Sequence, residues 1–514
     1  MEPITSNALL TADQMQQVDR NAASQGFCTY TSMQRAGMAV ADGVRALMGD
    51  PCRVLVLVGP GNNGGDGAIA AVELLAHGYE VELVNISNAP AEGSDAFRAY
   101  QQWQQSTPAI TSSDASWSSH QLEKEVESAA VIIDAMFGAG LSRPLSSSVE
   151  PLVDLINSSS AKVVAVDVPS GLNGNTHCIH GACIQADMTV TFFLRKPAHV
   201  LFPGRKVCGK LLLAQIGLSA EQLGGEKLQC WLNGPALFKD KLPYCEVDGH
   251  KFNRGHVLVR SGPVQSTGAA RLCAETALYS GAGLVTVATT TEAMTTNAAH
   301  LTAVMLQQID TQDEWVEALT DHRINTVVVG PGNGLSEQTR QCVIASLEAG
   351  KHCVLDADAL SCWQDPEHNS VLIRSLKLCS PTTVLTPHAG EFKRLFGEFL
   401  PEKFPSKLHQ TREAARLVDS IIVYKGADTV IAAPDGRASI NANAPPWLAT
   451  AGAGDVLAGL IAALLAQGTP AFEAACAAVW LHGAAAENLG YPLCAEDMVR
   501  QVGRELGHTI AMSW

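Results

Sequence analysis

The sequence predicts an α/β protein with two domains, each built on a mainly parallel sheet. At 514 residues the chain is too long for one ordinary core. Continuous β-branched and aliphatic runs, such as Arg53–Val58, are typical of parallel strands that are covered on both faces. Such runs alternate with helical segments along the chain, and no hairpin signal separates them, which favours parallel over antiparallel sheets.

The composition limits the expected partners and compartment. The 51 Asp and Glu against 35 Lys and Arg give a net charge of -16, which argues against nucleic acid or an anionic membrane as the main partner. The 14 Cys include no CxxC pair, so neither a zinc site nor a disulfide framework is predicted. No signal peptide is evident, and no apolar run reaches the about 18 residues of a membrane span. We expect a soluble, cytoplasmic protein with reduced thiols.

Two helices and a glycine-rich turn open the first half. Apolar residues with helical spacing over residues 11–48 precede the strand Arg53–Val58. The turn GPGNNGGDG then matches G-x-G-x-x-G between a strand and a helix, the dinucleotide-binding arrangement, although this match alone is weak. Asn62, Asn63 and Asp66 lie inside it, where a plain diphosphate loop would have small neutral residues. Asp66 is explained equally well as a helix cap.

Two later strands also end in an aspartate. Residues 130–134, AVIID, run into AMFGAGLSRPL, and residues 162–167, KVVAVD, run into VPSGLNG. The carboxyl ends of parallel strands line the ligand crevice of an open sheet. We therefore expect Asp66, Asp134 and Asp167 to converge on one site.

The side chains at these strand ends indicate two kinds of chemistry. The oxygen-bearing side chains of Asn63, Asp134 and Ser170 suit an s-block cation rather than a transition metal. Asp167 remains as a candidate acid or base. Arg143, in the glycine loop, is a candidate for contact with a ligand phosphate.

Three linked motifs, NNGGDG, FGAGLSRP and VDVPSG, resemble the NAD(P)H-hydrate epimerase domain, which is Rossmann-like and interconverts the two epimers of hydrated NAD(P)H. The resemblance implies a potassium ion on Asn63, Asp134 and Ser170, and contact of Asp167 with the hydrate. It also implies that the first two motifs hold the hydrate through Asn62, Asn63, Gly64, Gly65, Asp66, Gly138, Ala139, Gly140, Leu141, Ser142, Arg143 and Pro144.

The boundary between the domains is predicted from a loss of periodicity. Strands in residues 187–218 complete the first sheet, and residues 219–243 then gather Gly, Lys, Asn and Pro. We assign residues 1–220 to the first domain and residues 228–514 to the second.

The second half repeats the strand–loop–helix pattern. INTVVVGPGNG, KHCVLDADAL, TTVLTPHAGEF and SIIVYKGADTVIA are each interpreted as a β-branched strand that runs into a polar or glycine-bearing loop. Gly332 lies in a loop where backbone can approach a ligand closely. Asp356 and Asp358 follow a strand, and each is also interpreted as a cap of the next helix.

The stretch 449–468, ATAGAGDVLAGLIAALLAQG, predicts a glycine turn followed by a buried helix that starts at about Asp455. Gly452 and Gly454 allow the loop N–H groups to converge, and the helix N-terminus adds its positive dipole end, which together make an anion site. Position alone favours Asp455 as an N-cap. The functional alternative is a general base that deprotonates a hydroxyl beside a phosphate.

Two further loops carry candidate ligand groups. His388, in TPHAGE, is either a hydrogen-bonded structural residue or a substrate contact at a strand end. The loop KGADT offers an ammonium, a flexible glycine and a hydroxyl to the phosphates of a nucleotide. Lys425 taken alone is better explained as a solvated turn residue.

The GAA near Ala269, the GPGNG loop, PHAGE, KGADT and AGAGD resemble the ribokinase-like fold and, within it, the NAD(P)H-hydrate dehydratase domain. The resemblance implies hydrate contacts at Ala269, Gly332, His388 and Asp455. It implies nucleotide contacts at Lys425, Gly426, Ala427, Asp428, Thr429 and Gly454. Ala453 departs from the Thr that many relatives have at this position, which removes one hydroxyl from a phosphate contact.

Together the resemblances imply a repair enzyme for nicotinamide nucleotides. It would epimerise the R and S forms of hydrated NADH and NADPH, and dehydrate the S form at the expense of ADP or ATP with Mg²⁺, as an expected homo-oligomer. Two alternatives remain open: a sugar or vitamin-precursor kinase of the ribokinase-like class, and a non-catalytic nucleotide-binding regulator. No Walker A, HExxH or GxSxG motif occurs.

Overall fold

The computed structural model describes residues 7–86, 88–106, 119–141, 143–225, 227–244, 248–379, 383–400 and 406–511. The chain divides into two compact units, Met1–Leu228 and Gln229–Trp514. Within the described residues, no helix has the length and apolar character that a membrane crossing requires.

The first unit is a six-stranded parallel sheet with helices along the chain between its strands. The strand order is β2-β1-β3-β4-β5-β6, and every neighbouring pair is parallel. The elements are α1 (Ala12–Ser24), α2 (Thr29–Met48), β1 (Arg53–Val58), α3 (Asn62–Ala76), β2 (Glu80–Asn85), α4 (Asp95–Ser106), α5 (Ser119–Ser128), β3 (Val131–Ala135), α6 (Glu150–Ser158), β4 (Lys162–Val166), β5 (Met188–Phe192), α7 (Gly204–Val207) and β6 (Lys210–Ala214).

Helix α3 begins earlier than the sequence indicated. NNGGDG was interpreted as loop, but it forms the first turns of α3, with Gly61 as the N-cap. The glycines serve close packing: a Cβ at Gly64 would lie 2.0 Å from the Gly59 carbonyl oxygen, and one at Gly67 would lie 2.5 Å from Ala135 Cβ. Asp66 therefore lies within the helix, and its interpretation as a cap is wrong.

The second unit is a ten-stranded sheet in the order β10-β9-β8-β11-β12-β13-β14-β15-β16-β7. Its strands are β7 (Cys230–Leu232), β8 (His256–Arg260), β9 (Leu284–Thr289), β10 (Met305–Gln308), β11 (Thr326–Val329), β12 (His352–Leu355), β13 (Thr383–Leu385), β14 (Ile421–Tyr424), β15 (Val430–Ala432) and β16 (Ala438–Ile440). Its helices are α8 (Thr267–Tyr279), α9 (Thr291–His300), α10 (Gln312–Leu319), α11 (Glu337–Glu348), α12 (Asp358–Ser361), α13 (Pro366–Cys379), α14 (Ala389–Phe396), α15 (Lys407–Val418), α16 (Ala453–Ala466), α17 (Ala471–Leu489) and α18 (Ala495–Ala511).

The α/β class is confirmed, but the prediction that no hairpin separates the strands is wrong. β14 pairs with β15, and β15 with β16, in antiparallel fashion. The loop KGADT is the turn of the first hairpin. The residues VIA after it form a short strand of their own, β15, and were not predicted as a separate strand. The Thr429 hydroxyl closes this turn by accepting from Gly426 N at 3.1 Å, a local contact that strand periodicity cannot reveal.

The core of the second unit surrounds α16. This helix is buried along most of its length and packs against α8 and α17. Close approach to α8 requires Gly459, where a Cβ would lie 2.2 Å from the Cys273 carbonyl oxygen. The N-terminal end of α16 is thereby fixed at the carboxyl edge of the parallel strands, where ligand crevices form in open sheets.

Candidate active sites

In the first unit, residues from all three predicted motifs line one cavity of about 270 Å³. Helix α3, the loop after β3 and the end of β4 supply them, as expected for the carboxyl edge of a parallel sheet. The lining residues that the sequence predicted are Asn62, Asn63, Asp66, Gly138, Ala139, Gly140 and Asp167.

The other predicted hydrate contacts are not among the lining residues of this cavity. Gly65 is used for packing, since a Cβ there would lie 2.7 Å from the Met33 side chain. Ser142 lies outside the described residues. The remaining predicted contacts that do not line the cavity are Gly64, Leu141, Arg143 and Pro144.

Asp167 is held by a buried lysine that the sequence analysis did not single out. Lys196 Nζ donates to Asp167 Oδ1 at 2.5 Å, and the Thr191 hydroxyl donates to the same oxygen at 2.9 Å. Burial raises the pKa of Asp167, but the charge of Lys196 and these hydrogen bonds outweigh it, so that the pKa is lowered. Asp167 is therefore ionised at neutral pH, which is the form that a base requires. Its φ of 64° is unusual for a non-glycine residue, and such strain is often found at functional positions.

His199 braces the backbone of Asp167. Its Nε2 lies 2.8 Å from the Asp167 carbonyl oxygen, and its Nδ1 accepts from Lys196 N at 3.0 Å. Burial and the neighbouring Lys196 lower the pKa of His199 to about 4. The neutral tautomer with a proton on Nε2 satisfies both contacts.

Two further carboxyl groups face the same cavity, Asp66 on α3 and Asp19 on α1. Burial, together with the charges of Asp167 and Asp19, raises the pKa of Asp66 well above its ordinary value. Burial also raises the pKa of Asp19, in part against the charge of Lys196. The cavity thus combines an aspartate with a lowered pKa and a carboxyl group with a raised pKa. Pairs with pKa values pushed apart are typical of acid–base sites.

Two of the predicted cation ligands are bonded to each other, Asp134 in β3 and Ser170 in the loop after β4. Ser170 N and Oγ donate to Asp134 at 2.7 and 2.6 Å, and Met136 N donates to Asp134 at 3.3 Å. Asp134 is completely buried, and burial raises its pKa to about 6 in spite of these hydrogen bonds. No Lys, Arg or His in the described part of the chain forms an ion pair with it.

Asn63 belongs to the same region but is not bonded to Asp134. Its Nδ2 is buried and has no hydrogen-bond partner among the described residues, and its side chain lies against Gly138. The buried Asp134 carboxylate without a cation, the Ser170 hydroxyl and the Asn63 amide oxygen are the oxygen ligands that fit a monovalent cation, whereas Asn63 Nδ2 is a donor that requires an acceptor.

In the second unit, Asp455 lies in the first turn of α16, which begins at Ala453 with Gly452 as its N-cap. The interpretation of Asp455 as an N-cap is therefore wrong, and the helix begins two residues earlier than predicted. Gly452 adopts a φ of 84°, a conformation that glycine allows. The conformation of the loop before the helix therefore sets where the helix begins. The Asp455 carboxyl group is left available for chemistry.

Burial and the neighbouring Asp356 raise the pKa of Asp455 to about 7, although Lys425 opposes them. Lys425 Nζ donates to Asp356 Oδ1 at 2.7 Å, and the Thr386 hydroxyl donates to the same oxygen at 2.6 Å. A Cβ at Gly454 would lie 3.5 Å from Asp356 Oδ2 and 3.6 Å from Lys425 Nζ. The glycine turn, the ammonium and the carboxylates therefore form one cluster. Asp356 serves this cluster rather than capping α12, whose N-cap is Ala357.

The KGADT turn is tied down by a residue outside the motif. Lys407 Nζ donates to Asp428 Oδ1 at 2.7 Å and to the Asp428 carbonyl oxygen at 3.1 Å. It also lies 4.5 Å from the centre of the Tyr424 ring. Asp428 and Thr429 thus shape the turn, within which Gly426 N is bonded to the Thr429 hydroxyl.

His388 caps α14. Its Nδ1 accepts from Gly390 N at 3.0 Å and from Glu391 N at 3.3 Å, while Glu391 Oε2 accepts from His388 N at 2.8 Å. The structural interpretation of this histidine is correct. Its side chain is 56% exposed, so that the ring also remains accessible to a ligand.

Ala269, in the first turn of α8, and Gly332, in the loop after β11, are neighbours. A Cβ at Gly332 would lie 3.4 Å from Ala269 Cβ and 2.6 Å from the Ser266 carbonyl oxygen. Gly332 has a φ of 65°, so both its conformation and its surroundings require glycine. Next to them, Gly330 leaves no room for a Cβ against the Asp356 carbonyl oxygen, at 1.7 Å. The two predicted hydrate contacts therefore adjoin the strand end that carries the Asp356 cluster.

Sequence reasoning missed Lys196 and Asp19 in the first unit and Lys407 in the second. Lys196 had a readable signal, since a lysine just after an apolar strand lies at the same edge as the predicted aspartates. Asp19 and Lys407 lie on amphipathic helices, where a charged residue is normally solvated. No pattern in the sequence distinguishes these two positions.

Comparison with known proteins gives matches for both units. The family model described as NAD(P)H-hydrate dehydratase matches residues 257–496, and the model of the YjeF-related protein N-terminus matches residues 30–198. Bifunctional NAD(P)H-hydrate repair enzymes from Thermofilum pendens and Escherichia coli are each 34% identical to this chain. These alignments cover 91% and 93% of the chain, and 90% and 89% of the relatives. An ADP/ATP-dependent NAD(P)H-hydrate dehydratase from Bacillus subtilis, co-crystallised with ATP/Mg²⁺, is 27% identical over 54% of this chain and 97% of its own, with a TM-score of 0.46. The chain belongs to the family of bifunctional NAD(P)H-hydrate repair enzymes.

Proposed function

We propose that the second unit dehydrates the S form of hydrated NADH and NADPH back to the reduced dinucleotide, and that the first unit interconverts the R and S forms. The observation that carries the proposal is Asp455, a carboxyl group with a pKa of about 7 beside Lys425 and the glycine turn. A base with a pKa near the working pH, next to an anion-binding turn, suits phosphoryl transfer to a hydroxyl.

Dehydration then proceeds by phosphorylation and elimination. Hydration of the dihydronicotinamide ring places the hydroxyl on the carbon beside the ring nitrogen, and a hydroxyl is a poor leaving group. Asp455 takes the hydroxyl proton as the oxygen forms a bond to the terminal phosphorus of the nucleotide, whose bridging P–O bond breaks. The C–O bond then breaks with loss of inorganic phosphate, driven by the nitrogen lone pair. Loss of a proton from the adjacent carbon restores the ring double bond.

The nucleotide is placed by Lys425 and the backbone of the AGAGD and KGADT turns. Helix α16 directs the positive end of its dipole at the same point, which favours the charged phosphates. No group of three or more His, Cys, Asp and Glu side chains is arranged as a metal site in the described ranges. Mg²⁺ fits best as an ion carried by the phosphates, where it would neutralise charge on the transferring group. Use of ADP or ATP as the donor is part of the proposal.

Epimerisation uses the pKa difference between Asp66 and Asp167. Protonated Asp66 gives its proton to the departing hydroxyl, and the ring nitrogen supplies the electrons that leave a planar cation. Water adds back from the other face while ionised Asp167 accepts its proton. A proton transfer between the two carboxyl groups resets the site. Lys196 keeps Asp167 ionised until it accepts this proton.

A potassium ion on Asn63, Asp134 and Ser170 completes the first site in this proposal. The buried Asp134 carboxylate supports it, because a cation would compensate the charge that burial disfavours. The ion's contribution would be to fix the loop after β3, which also carries Gly138 and Ala139. The cytoplasmic location and the homo-oligomer stay predictions from the sequence.

The proposal is tested with each purified epimer of hydrated NADH and hydrated NADPH, incubated with ADP or ATP. Reduced dinucleotide should appear from the S form at once and from the R form after a lag set by epimerisation. Release of one phosphate per dinucleotide is required. A phosphorylated product that retains its phosphate would instead identify a small-molecule kinase, and binding without turnover a regulator.

A further inference from the structure

The second unit has a cavity of about 550 Å³ at the carboxyl ends of β8 and β9. Arg260, the last residue of β8, is one of its lining residues together with Thr290, Thr291, Asn333 and Gln338. None of these residues was predicted as part of the dehydratase site.

Arg260 is buried but has no anionic partner. The residue is 5% exposed, and its guanidinium group stacks on the Trp315 ring at 5.2 Å. Among the described residues, no side chain or carbonyl oxygen accepts a hydrogen bond from this guanidinium. Buried arginines are normally paired. No Arg260 nitrogen is among the fully buried, unsatisfied atoms of the described residues, so these nitrogens are open to the cavity. The Arg260 side chain therefore presents up to five unused donors to the cavity.

The surroundings favour an anion in spite of two carboxylates. Helices α9 and α11 both begin at this cavity, through Thr291 and Gln338, and direct the positive ends of their dipoles towards it. Of the carboxylates that line it, Asp310 is occupied by Thr291 N and Oγ1 at 2.8 and 2.6 Å. Glu292 lies in the first turn of α9, where its charge is partly offset by that helix end.

The cavity adjoins the predicted hydrate site rather than the nucleotide turn. Asn333, in the GPGNG loop, donates to the Arg260 carbonyl oxygen at 2.9 Å. The loop after β8 packs closely against the GPGNG loop, since a Cβ at Gly262 would lie 1.7 Å from the Gly332 carbonyl oxygen. In the sheet, β8 is two strands from β12, or about 10 Å, and four strands from β14, which leads into KGADT.

From this placement we infer that Arg260 binds a phosphate group of the hydrated dinucleotide while its nicotinamide ring lies at Asp455. The inference rests on the proposed dehydratase function. A dinucleotide carries its first phosphate one ribose away from the nicotinamide, on the 5′ oxygen of that ribose. An arginine fork matches phosphate geometry and is well suited to this contact.

The first test compares Arg260→Gln with Arg323→Gln, a control in which an exposed arginine on the same unit loses only its surface pair with Asp321. Binding of hydrated NADH and hydrated NADPH is measured by calorimetry without nucleotide. Arg260→Gln should raise both dissociation constants about 10- to 100-fold, the range for a charge-assisted hydrogen bond. A loss confined to hydrated NADPH assigns the contact to the 2′-phosphate, and an equal loss to the diphosphate. No loss overturns the inference.

A phosphate-free substrate separates binding of phosphate from general damage. Hydrated dihydronicotinamide riboside should be turned over by wild type and Arg260→Gln with the same KM, and the KM for ADP should not change. Weakening of the riboside to the same extent, or of ADP instead, would overturn the assignment.

If Arg260→Gln folds poorly, a second variant and a competition experiment with wild type still test the inference. Arg260→Lys, which keeps the charge and the alkyl stem, should recover part of the affinity. In wild type, inorganic diphosphate should compete with the hydrate but not with ADP; competition with ADP alone would contradict the inference. Absence of dehydration by wild type would refute the proposed function, whereas the calorimetric result tests the subsite separately.

Discussion

The Lys196 ammonium lies 2.5 Å from Asp167 Oδ1 and is itself 3% exposed, so that the first unit contains an almost fully buried ion pair at its candidate catalytic aspartate. Removal of one member of such a pair leaves the other charge uncompensated. The pair therefore sets the protonation state on which the proposed epimerisation depends.

Lys196→Met should impair epimerisation and leave dehydration of the S form unchanged. The lysine lowers the pKa of Asp167, so its loss raises that pKa, and the acid limb of the epimerisation rate should move to higher pH. Rate–pH profiles of purified R form measure the shift. Lys162→Met is the control, because this lysine makes an exposed pair with Asp187. A uniform loss of rate without a shifted limb would indicate a purely structural role.

Asp455→Asn should reduce dehydration by about 100- to 10,000-fold, the usual loss for a general base, and spare epimerisation. Wild-type dehydration should fall as pH drops below about 7, since Asp455 acts in its ionised form. Following each epimer separately resolves the two activities. If Asp455→Asn abolished both activities in a protein that still melts cooperatively, the two sites would not be independent.

The same variant should change stability with a defined sign. The folded-state pKa of Asp455 is raised to about 7 from 3.8, so ionisation destabilises the folded state, and the loss grows as pH rises from about 4 to 7. Asp455→Asn should therefore raise the melting temperature of the second unit at pH 8 more than at pH 5. Calorimetric scans at the two pH values provide the comparison. An equal change in melting temperature at the two pH values would show that burial does not destabilise the ionised carboxyl group.

Lys425→Met should raise the KM for the nucleotide more than that for the hydrate, because Lys425 lies beside the Gly454 turn. Lys393→Met, on the exposed side of α14, should change neither constant. Steady-state kinetics with each substrate varied in turn decide between them. A larger effect on the hydrate would move Lys425 to the other subsite.

Potassium should stabilise the first unit and accelerate epimerisation. Binding to the folded state alone raises the free energy of unfolding with ion concentration. Because burial raises the pKa of Asp134 to about 6, the ion should bind more tightly as pH rises through 6. Melting curves in KCl and in choline chloride of equal ionic strength measure this. Asp134→Asn should remove the difference, and a difference that persists in that variant would contradict the assignment.

Gly64→Ala tests the packing of α3. A Cβ at Gly64 would lie 2.0 Å from the Gly59 carbonyl oxygen, whereas one at Gly61 meets nothing within 4 Å. Gly64→Ala should lower the free energy of unfolding by about 1 to 3 kcal/mol, and Gly61→Ala should have little effect. Chemical denaturation of the two variants provides the comparison, and equal stability would mean that α3 can shift without cost.

The sequence by itself was sufficient for the α/β class, for the parallel part of each sheet and for the edge at which the candidate sites lie, but not for the antiparallel pairs β14–β15 and β15–β16. Unbroken β-branched strands require cover on both faces, so the parallel arrangement follows from local pattern alone. The aspartates at the strand ends, Asp134 and Asp167, could be placed at the carboxyl edge for the same reason. The linked glycine motifs identified the family before any distance was known.

Only the tertiary structure decided the roles of individual side chains. Whether Asp66 and Asp455 cap helices depends on where α3 and α16 begin, and backbone packing around glycines sets those points. Asp19 and Lys407 reach the sites from helices distant in sequence, which periodicity cannot detect, and the contact of Lys196 with Asp167 is likewise made only by the fold. The protonation states of Asp167 and Asp455 likewise follow from burial and from charges brought close by folding. These are long-range effects, and a one-dimensional pattern contains no record of them.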